Sequence, residues 1–200
     1  MSAFVPHLPF VAVASLYHPY LVTRHTGRAV RLTIERMVEE RTGPSLTVID
    51  FHDVAVIDFS CADEVVARLL FDTLSRPEDG VHHYFVLDGI GEEHMDPVSC
   101  ALDRRGLAMA ARTVALRPVL LGRIEPEARK VWEALSRLGR GRADDLASCL
   151  EGDAVGCRKW LQRLEERRLA RGSDGPSGTF ESLFSVLGRW DARRAADEHA

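Results

Sequence analysis

The side chains best suited to recognition chemistry lie between residues 158 and 171. This stretch carries six basic residues and two acidic ones. Apolar residues recur at helical spacing (157, 160, 161 and 164), which turns the intervening polar side chains away from the core. Arginine and glutamine can pair with base edges, and clustered positive charge suits phosphates. The pattern predicts a DNA-contacting surface, although a solvated helix face would look the same. The predicted contact residues are Arg158, Lys159, Gln162, Arg163, Arg167 and Arg171.

Other reactive side chains form no pattern typical of an enzyme. His82, His83 and His94 match no common metal-ligand spacing and are interpreted as surface histidines. Catalytic and nucleotide-binding motifs are absent from the sequence, while a dyad such as Asp58 with His52 cannot be judged from spacing. We therefore expect no catalytic activity, no bound metal and no cofactor.

Composition and charge narrow the classes of partner. The chain has 200 residues and a formal net charge of −4. Residues 1–120 carry a net charge of −5 and residues 121–200 a net charge of +1, so nucleic-acid contact would need a local patch in the second half. Four cysteines without C-x-x-C spacing indicate buried, reduced thiols. No apolar stretch is long enough to span a bilayer, and no charged region marks a secretory signal, so a cytoplasmic location without membrane contact is expected.

Residues 1–120 alternate between strand and helix signals. Strands are expected at 11–16, 46–51, 54–57 and 84–87, the last ended by Asp88-Gly89. Helices are expected at 26–40, from Ser60 onward, and from Asp96-Pro97 to about 105. Ser60 is the expected N-cap of the second helix, and Asp63-Glu64 place negative charge in its first turn, where the helix dipole favours it. This alternation predicts an α/β domain with a mixed sheet.

The pattern changes after residue 124. Helices are expected from Glu125-Pro126 to 138, at 143–150 and from 154 to about 169, with Trp160 buried in the last. A short strand near Leu169, a glycine-rich loop at 171–178 and a strand at 179–186 follow. This order resembles a winged helix-turn-helix domain at residues 124–187, followed by a charged tail at 188–200. The resemblance implies that the helix from Ala154 lies in the DNA major groove and that the loop touches the backbone.

A second resemblance concerns the first 120 residues. Asp50-Phe51 at a strand end and Ser60-Cys61-Ala62-Asp63-Glu64 at a helix start resemble an uncharacterised bacterial branch of STAS-like domains, as does Thr23 to Gly27 with the helix that follows. Anti-sigma-factor antagonists share this fold. The resemblance implies that Ser60 is a phosphorylation site beside a protein partner, whereas from the residues alone Ser60 is a plain N-cap.

Together these features predict a DNA-binding bacterial regulator in which a STAS-like α/β domain that senses a signal or dimerises precedes a winged helix (α+β) domain. Its expected partners are double-stranded DNA and a second copy of the chain. The alternative is a partner-switching module, similar to an anti-sigma-factor antagonist, in which both domains bind protein and neither binds DNA.

Overall fold

A computed structural model describes residues 10–41, 43–75, 82–172 and 178–189. The chain divides into two compact units, residues 1–124 and residues 125–200. Within the described ranges, none of the helices has the length and apolar character needed to cross a membrane.

The first unit is built on a mixed β-sheet. Its strands are β1 (Phe10–Ala12), β2 (Tyr20–Leu21), β3 (Ser45–Asp50), β4 (Val56–Ile57), β5 (His83–Ile90), β6 (Ala108–Thr113) and β7 (Pro118–Gly122). Five of them form a sheet in the order β1-β3-β5-β6-β7, in which only β7 runs antiparallel to its neighbour. Strands β2 and β4 form a separate parallel pair. The predicted α/β class with a mixed sheet is confirmed.

Helices complete the first unit around an apolar core. They are α1 (Val13–Leu16), α2 (Arg24–Glu39), α3 (Phe59–Ala62), a π-helical segment (Asp63–Arg68), α4 (Leu69–Leu74) and α5 (Glu92–Arg104). The strand expected at 11–16 is wrong, because β1 ends at Ala12 and the next four residues are helical. Strand β3 supplies the fully buried Val48 and Ile49, whose β-branched side chains fit the sheet interior.

The start of α5 also differs from the prediction. Strand β5 continues through Asp88-Gly89 to Ile90, and α5 begins at Glu92. The ring of His94 accepts a hydrogen bond from the Gly91 amide over 3.1 Å, which satisfies a backbone donor at the helix start. Pro97 therefore lies inside the helix, not at its first position.

The second unit combines helices with a small antiparallel sheet. Its elements are α6 (Pro126–Leu138), β8 (Arg140–Arg142), α7 (Ala143–Leu150), α8 (Ala154–Glu166), β9 (Ala170–Gly172), β10 (Thr179–Ser182) and a helical segment at 183–189. The sheet order is β8-β10-β9.

Two features of this unit correct the sequence-based prediction. Strand β8 was not expected, and the strand expected at 179–186 ends at Ser182. Residues 188 and 189 of the predicted tail are helical. The remainder of that tail, 190–200, and positions 173–177 of the glycine-rich loop lie outside the described residues.

Candidate functional site

Helix α8 is fixed in place by its apolar side and by its N-cap. Cys157, Leu161 and Leu164 are buried, and the helix packs against α6 and α7. The Asp153 carboxylate accepts a hydrogen bond from the Gly156 amide over 2.7 Å, as an N-cap residue does. Because this side of α8 faces the interior of the unit, the residues on the opposite side of the helix face outward.

The outward side of α8 carries most of the predicted contact residues. Arg158, Lys159, Gln162 and Arg163 are exposed. Neither Arg158 nor Lys159 forms an ion pair with another described residue. Val155 lies one turn before Arg158, and 80% of its surface is exposed. The sequence-based prediction did not include Val155, although its spacing places it on the same side.

Trp160 does not have the position expected of it. The side chain is half-buried, with the Lys159 ammonium 5.8 Å and the Arg163 guanidinium 5.9 Å from its ring centroid. The buried aromatic anchor is instead Trp132 on α6, which is 3% exposed and meets Phe184 edge-on at 6.0 Å. The apolar spacing of 157, 160, 161 and 164 covers a wide sector, and Trp160 lies at its edge.

Arg163 and Arg167 turn toward the start of α6. Their guanidinium groups lie 3.4 Å and 3.5 Å from the Glu125 carboxylate. Glu125 and Arg163 are substantially exposed, so this pairing is weak in water. Arg163 can therefore exchange Glu125 for another anion at small cost.

Arg171 is held more firmly than the other predicted contact residues. Its side chain is only 13% exposed and lies 3.4 Å from the Glu181 carboxylate on β10. Arg189 also approaches Glu181, at 3.2 Å. Because Glu181 is itself 7% exposed, the arginines around it balance a buried charge. Arg171 therefore has a structural role in the small sheet, whatever else it contacts.

The predicted N-cap at Ser60 is wrong. The helix begins at Phe59, and the Asp58 carboxylate accepts the capping hydrogen bond from the Cys61 amide over 2.7 Å. The Ser60 hydroxyl donates to the same carboxylate oxygen over 2.9 Å. Aspartate is as good an N-cap as serine, and it precedes the helix directly here. Ser60 therefore lies in the first turn with its hydroxyl already engaged.

Asp63 and Glu64 also differ from their expected place in the first turn of a helix capped by Ser60. They lie in the π-helical segment and are 9% and 3% exposed. Arg24 reaches both, at 3.1 Å and 2.8 Å, while Arg31 lies 3.3 Å from Glu64 and Arg105 lies 3.0 Å from Asp63. The sequence contains a signal for this burial. The two acids stand in an otherwise apolar run, and α2 carries Arg24 and Arg31, which are seven residues apart.

Helix α2 approaches α3 closely at Gly27. A Cβ at this position would lie 3.0 Å from both the Cα and the Sγ of Cys61, so glycine permits the contact. Burial, with a smaller effect from the Asp58 carboxylate, raises the pKa of the Cys61 thiol to about 12. Cys61 is therefore an unreactive, protonated thiol. Cys157 is also buried, but Cys100 and Cys149 are exposed, contrary to the expectation of buried thiols.

The histidines have separate environments in the first unit. His94 is 2% exposed, so the expectation that it is a surface histidine is wrong. His52 pairs with Asp50, with Nδ1 and Oδ1 2.6 Å apart, whereas the Asp58 carboxylate caps α3. Within the described residues, no three His, Cys, Asp or Glu side chains are grouped so as to hold a metal ion.

Comparison with protein-family models and with curated protein sequences finds no match to this chain. The geometry of the two units is therefore the basis for assigning a function.

Proposed function

We propose that residues 125–189 form a winged helix that binds duplex DNA and that residues 1–124 form a STAS-like domain that senses a signal or holds two copies together. The order α6, β8, α7, α8, β9, β10 and the sheet order β8-β10-β9 support the winged helix. In a helix-turn-helix motif, the second of the two helices enters the major groove. Here the two helices of the motif are α7 and α8, so α8 is the helix that would enter the groove.

The observation that carries the proposal is the outward side of α8. It presents Arg158, Lys159 and Arg163, which receive little charge compensation from the described residues, together with Gln162. Its 13 residues extend over about 20 Å at 1.5 Å per residue, and an α-helix fits the major groove, which is about 12 Å wide. Phosphates would attract the cations, while Gln162 can pair with an adenine edge.

A second copy of the chain belongs to the proposal because one winged helix covers a short site. The paired strands β2 and β4 support a dimer contact in the first unit. Tyr20 and Val56 are register partners and are 55% and 43% exposed, whereas the alternating Leu21 and Ile57 are buried. Sedimentation equilibrium of Tyr20→Ser/Val56→Ser should give monomers, and an unchanged association constant would rule out this contact.

Fluorescence anisotropy with a randomised duplex pool at low salt tests the DNA-binding proposal. The variant Arg158→Ala/Lys159→Ala/Arg163→Ala should lose most of the affinity. The matched control Arg28→Ala/Arg36→Ala/Arg117→Ala removes three exposed arginines from the first unit and should bind as the wild type does. Absence of wild-type binding, or equal binding by both variants, would favour the alternative in which both units bind protein.

A further inference from the structure

We infer that Val155 reads the 5-methyl group of a thymine in the major groove, which gives α8 a base preference beyond its polar contacts. This inference rests on the proposed DNA binding. It concerns which base edge the start of α8 recognises. The other residues in the first turn of the helix, Ala154, Gly156 and the buried Cys157, offer no polar side chain that could contact a base.

The exposure and position of Val155 carry the inference. At 80%, Val155 is the most exposed large apolar side chain among the described residues. It lies on the same side of α8 as Arg158, Lys159 and Gln162, at spacings of three, four and seven residues. An apolar group therefore continues a surface made otherwise of cations and an amide. Isolated exposed valines are common, but this one begins the side of the helix that faces the proposed ligand.

The first turn of α8 offers a ligand little besides this side chain. The Asp153 carboxylate already accepts the Gly156 amide, so its negative charge stands where a phosphate would otherwise bind. Ala154 and Gly156, the neighbours of Val155, have no polar side chain. In the major groove, thymine alone presents a methyl group, and apolar side chains are suited to contact it.

The spacing along the helix limits where the thymine lies. From Val155 to Gln162 the helix rises about 10 Å, which equals about three base-pair steps of 3.4 Å. The thymine should therefore lie within about three base pairs of the base that Gln162 contacts. Removing one methyl group from such a contact corresponds to about 0.8 kcal/mol, or about a fourfold loss of affinity.

The test pairs the variant Val155→Ala with replacement of thymine by deoxyuridine, which removes only the methyl group. The duplex is the tightest-binding sequence selected from a random pool, and each thymine is replaced in turn. One position per half-site should weaken wild-type binding about fourfold and weaken Val155→Ala binding clearly less, because alanine presents a smaller apolar surface that reaches less far from the helix. Val155→Thr keeps one methyl group and should retain the sensitivity, as should Leu116→Ala, which truncates an exposed apolar side chain of the first unit.

The outcomes separate this inference from the proposed function. If binding depends on Arg158 and Lys159 but every deoxyuridine effect is equal in wild type and Val155→Ala, Val155 does not read thymine and the DNA-binding proposal stands. If no duplex binds, both are overturned. Alanine is a good helix former and Val155 is exposed, so loss of folding does not confuse the result.

Discussion

The substitution Glu64→Gln tests the buried charge cluster of the first unit. Glu64 is 3% exposed and lies 2.8 Å from Arg24 and 3.3 Å from Arg31. Burial lowers the pKa of the Arg31 guanidinium, but the hydrogen bonds that it donates to the Glu35 and Glu64 carboxylates, together with their negative charges, outweigh this effect, so its pKa is raised overall. Arg31 therefore stays charged, and removal of the Glu64 charge leaves that buried cation with less compensation.

The expected cost follows from the contacts that remain. Removing one partner of a buried ion pair costs about 3–5 kcal/mol. Arg31 keeps Glu35 at 2.6 Å, and glutamine preserves the shape of the side chain, so we expect the lower end, about 3 kcal/mol. With a denaturant dependence of about 2 kcal/mol/M, the urea midpoint of the first unit should fall by about 1.5 M.

The distribution of tryptophan makes the assay selective. Positions 132, 160 and 190 hold the three tryptophans, all within residues 125–200, so fluorescence follows the second unit while circular dichroism follows both. Glu64→Gln should shift the circular-dichroism transition of the first unit and leave the fluorescence transition in place. The control Glu40→Gln removes the same charge from an exposed position and should shift neither.

A compensating variant separates charge imbalance from altered packing. In Arg31→Met/Glu35→Leu/Glu64→Leu the buried arginine and the two carboxylates that accept its hydrogen bonds are all replaced by apolar groups, and such exchanges are often neutral or stabilising. Its midpoint should recover most of the loss. A Glu64→Gln shift below about 0.3 M, which corresponds to about 0.6 kcal/mol, would mean that Glu64 is as well solvated as a surface acid and does not compensate a buried cation.

Three further predictions concern other parts of the chain. Trp132→Ala should destabilise the second unit by about 3–5 kcal/mol and the half-buried Trp160→Ala by clearly less; equal losses in urea melts followed by circular dichroism would contradict this assignment. Arg168 has φ +58° after the end of α8, where glycine is favoured, so Arg168→Gly should stabilise the unit by about 0.5–1 kcal/mol; a lower midpoint would show that its side chain matters more than backbone strain. A thiol reagent at pH 8 should modify the exposed Cys100 and Cys149 quickly, and the two buried thiols only after denaturation; more than two fast thiols in the native chain would contradict their burial.

The helices of the second unit were largely predictable from local signals. Pro126 at the first helical position, Gly139 at φ +75° after the end and Asp153 as N-cap determine where α6 and α8 begin or end. Strand β8 was not predictable, because Arg-Gly-Arg has no strand propensity. It exists because β10 provides a partner, with Gly141 in register with Phe180.

The sequence predicted which side of α8 is exposed, but it did not predict the partners of the individual side chains. The apolar spacing correctly placed Arg158, Lys159, Gln162 and Arg163 on the exposed side of α8. It did not reveal that Arg171 pairs with Glu181, because that contact joins two strands separated by a loop. For Asp63 and Glu64, the surrounding apolar run was a signal of burial, but their arginine hydrogen-bond partners were not predictable because these lie 33 to 42 residues away along the chain.

The salt dependence of duplex binding measures whether the cations on the outward side of α8 contact phosphates. Each phosphate neutralised by a cation contributes about 0.9 to the slope of log affinity against log salt. If Arg158, Lys159 and Arg163 contact phosphates, their joint replacement by alanine should reduce the magnitude of this slope by about two to three units relative to wild type. An unchanged slope, with the same affinity for the duplex pool, would show that the outward side of α8 does not contact DNA.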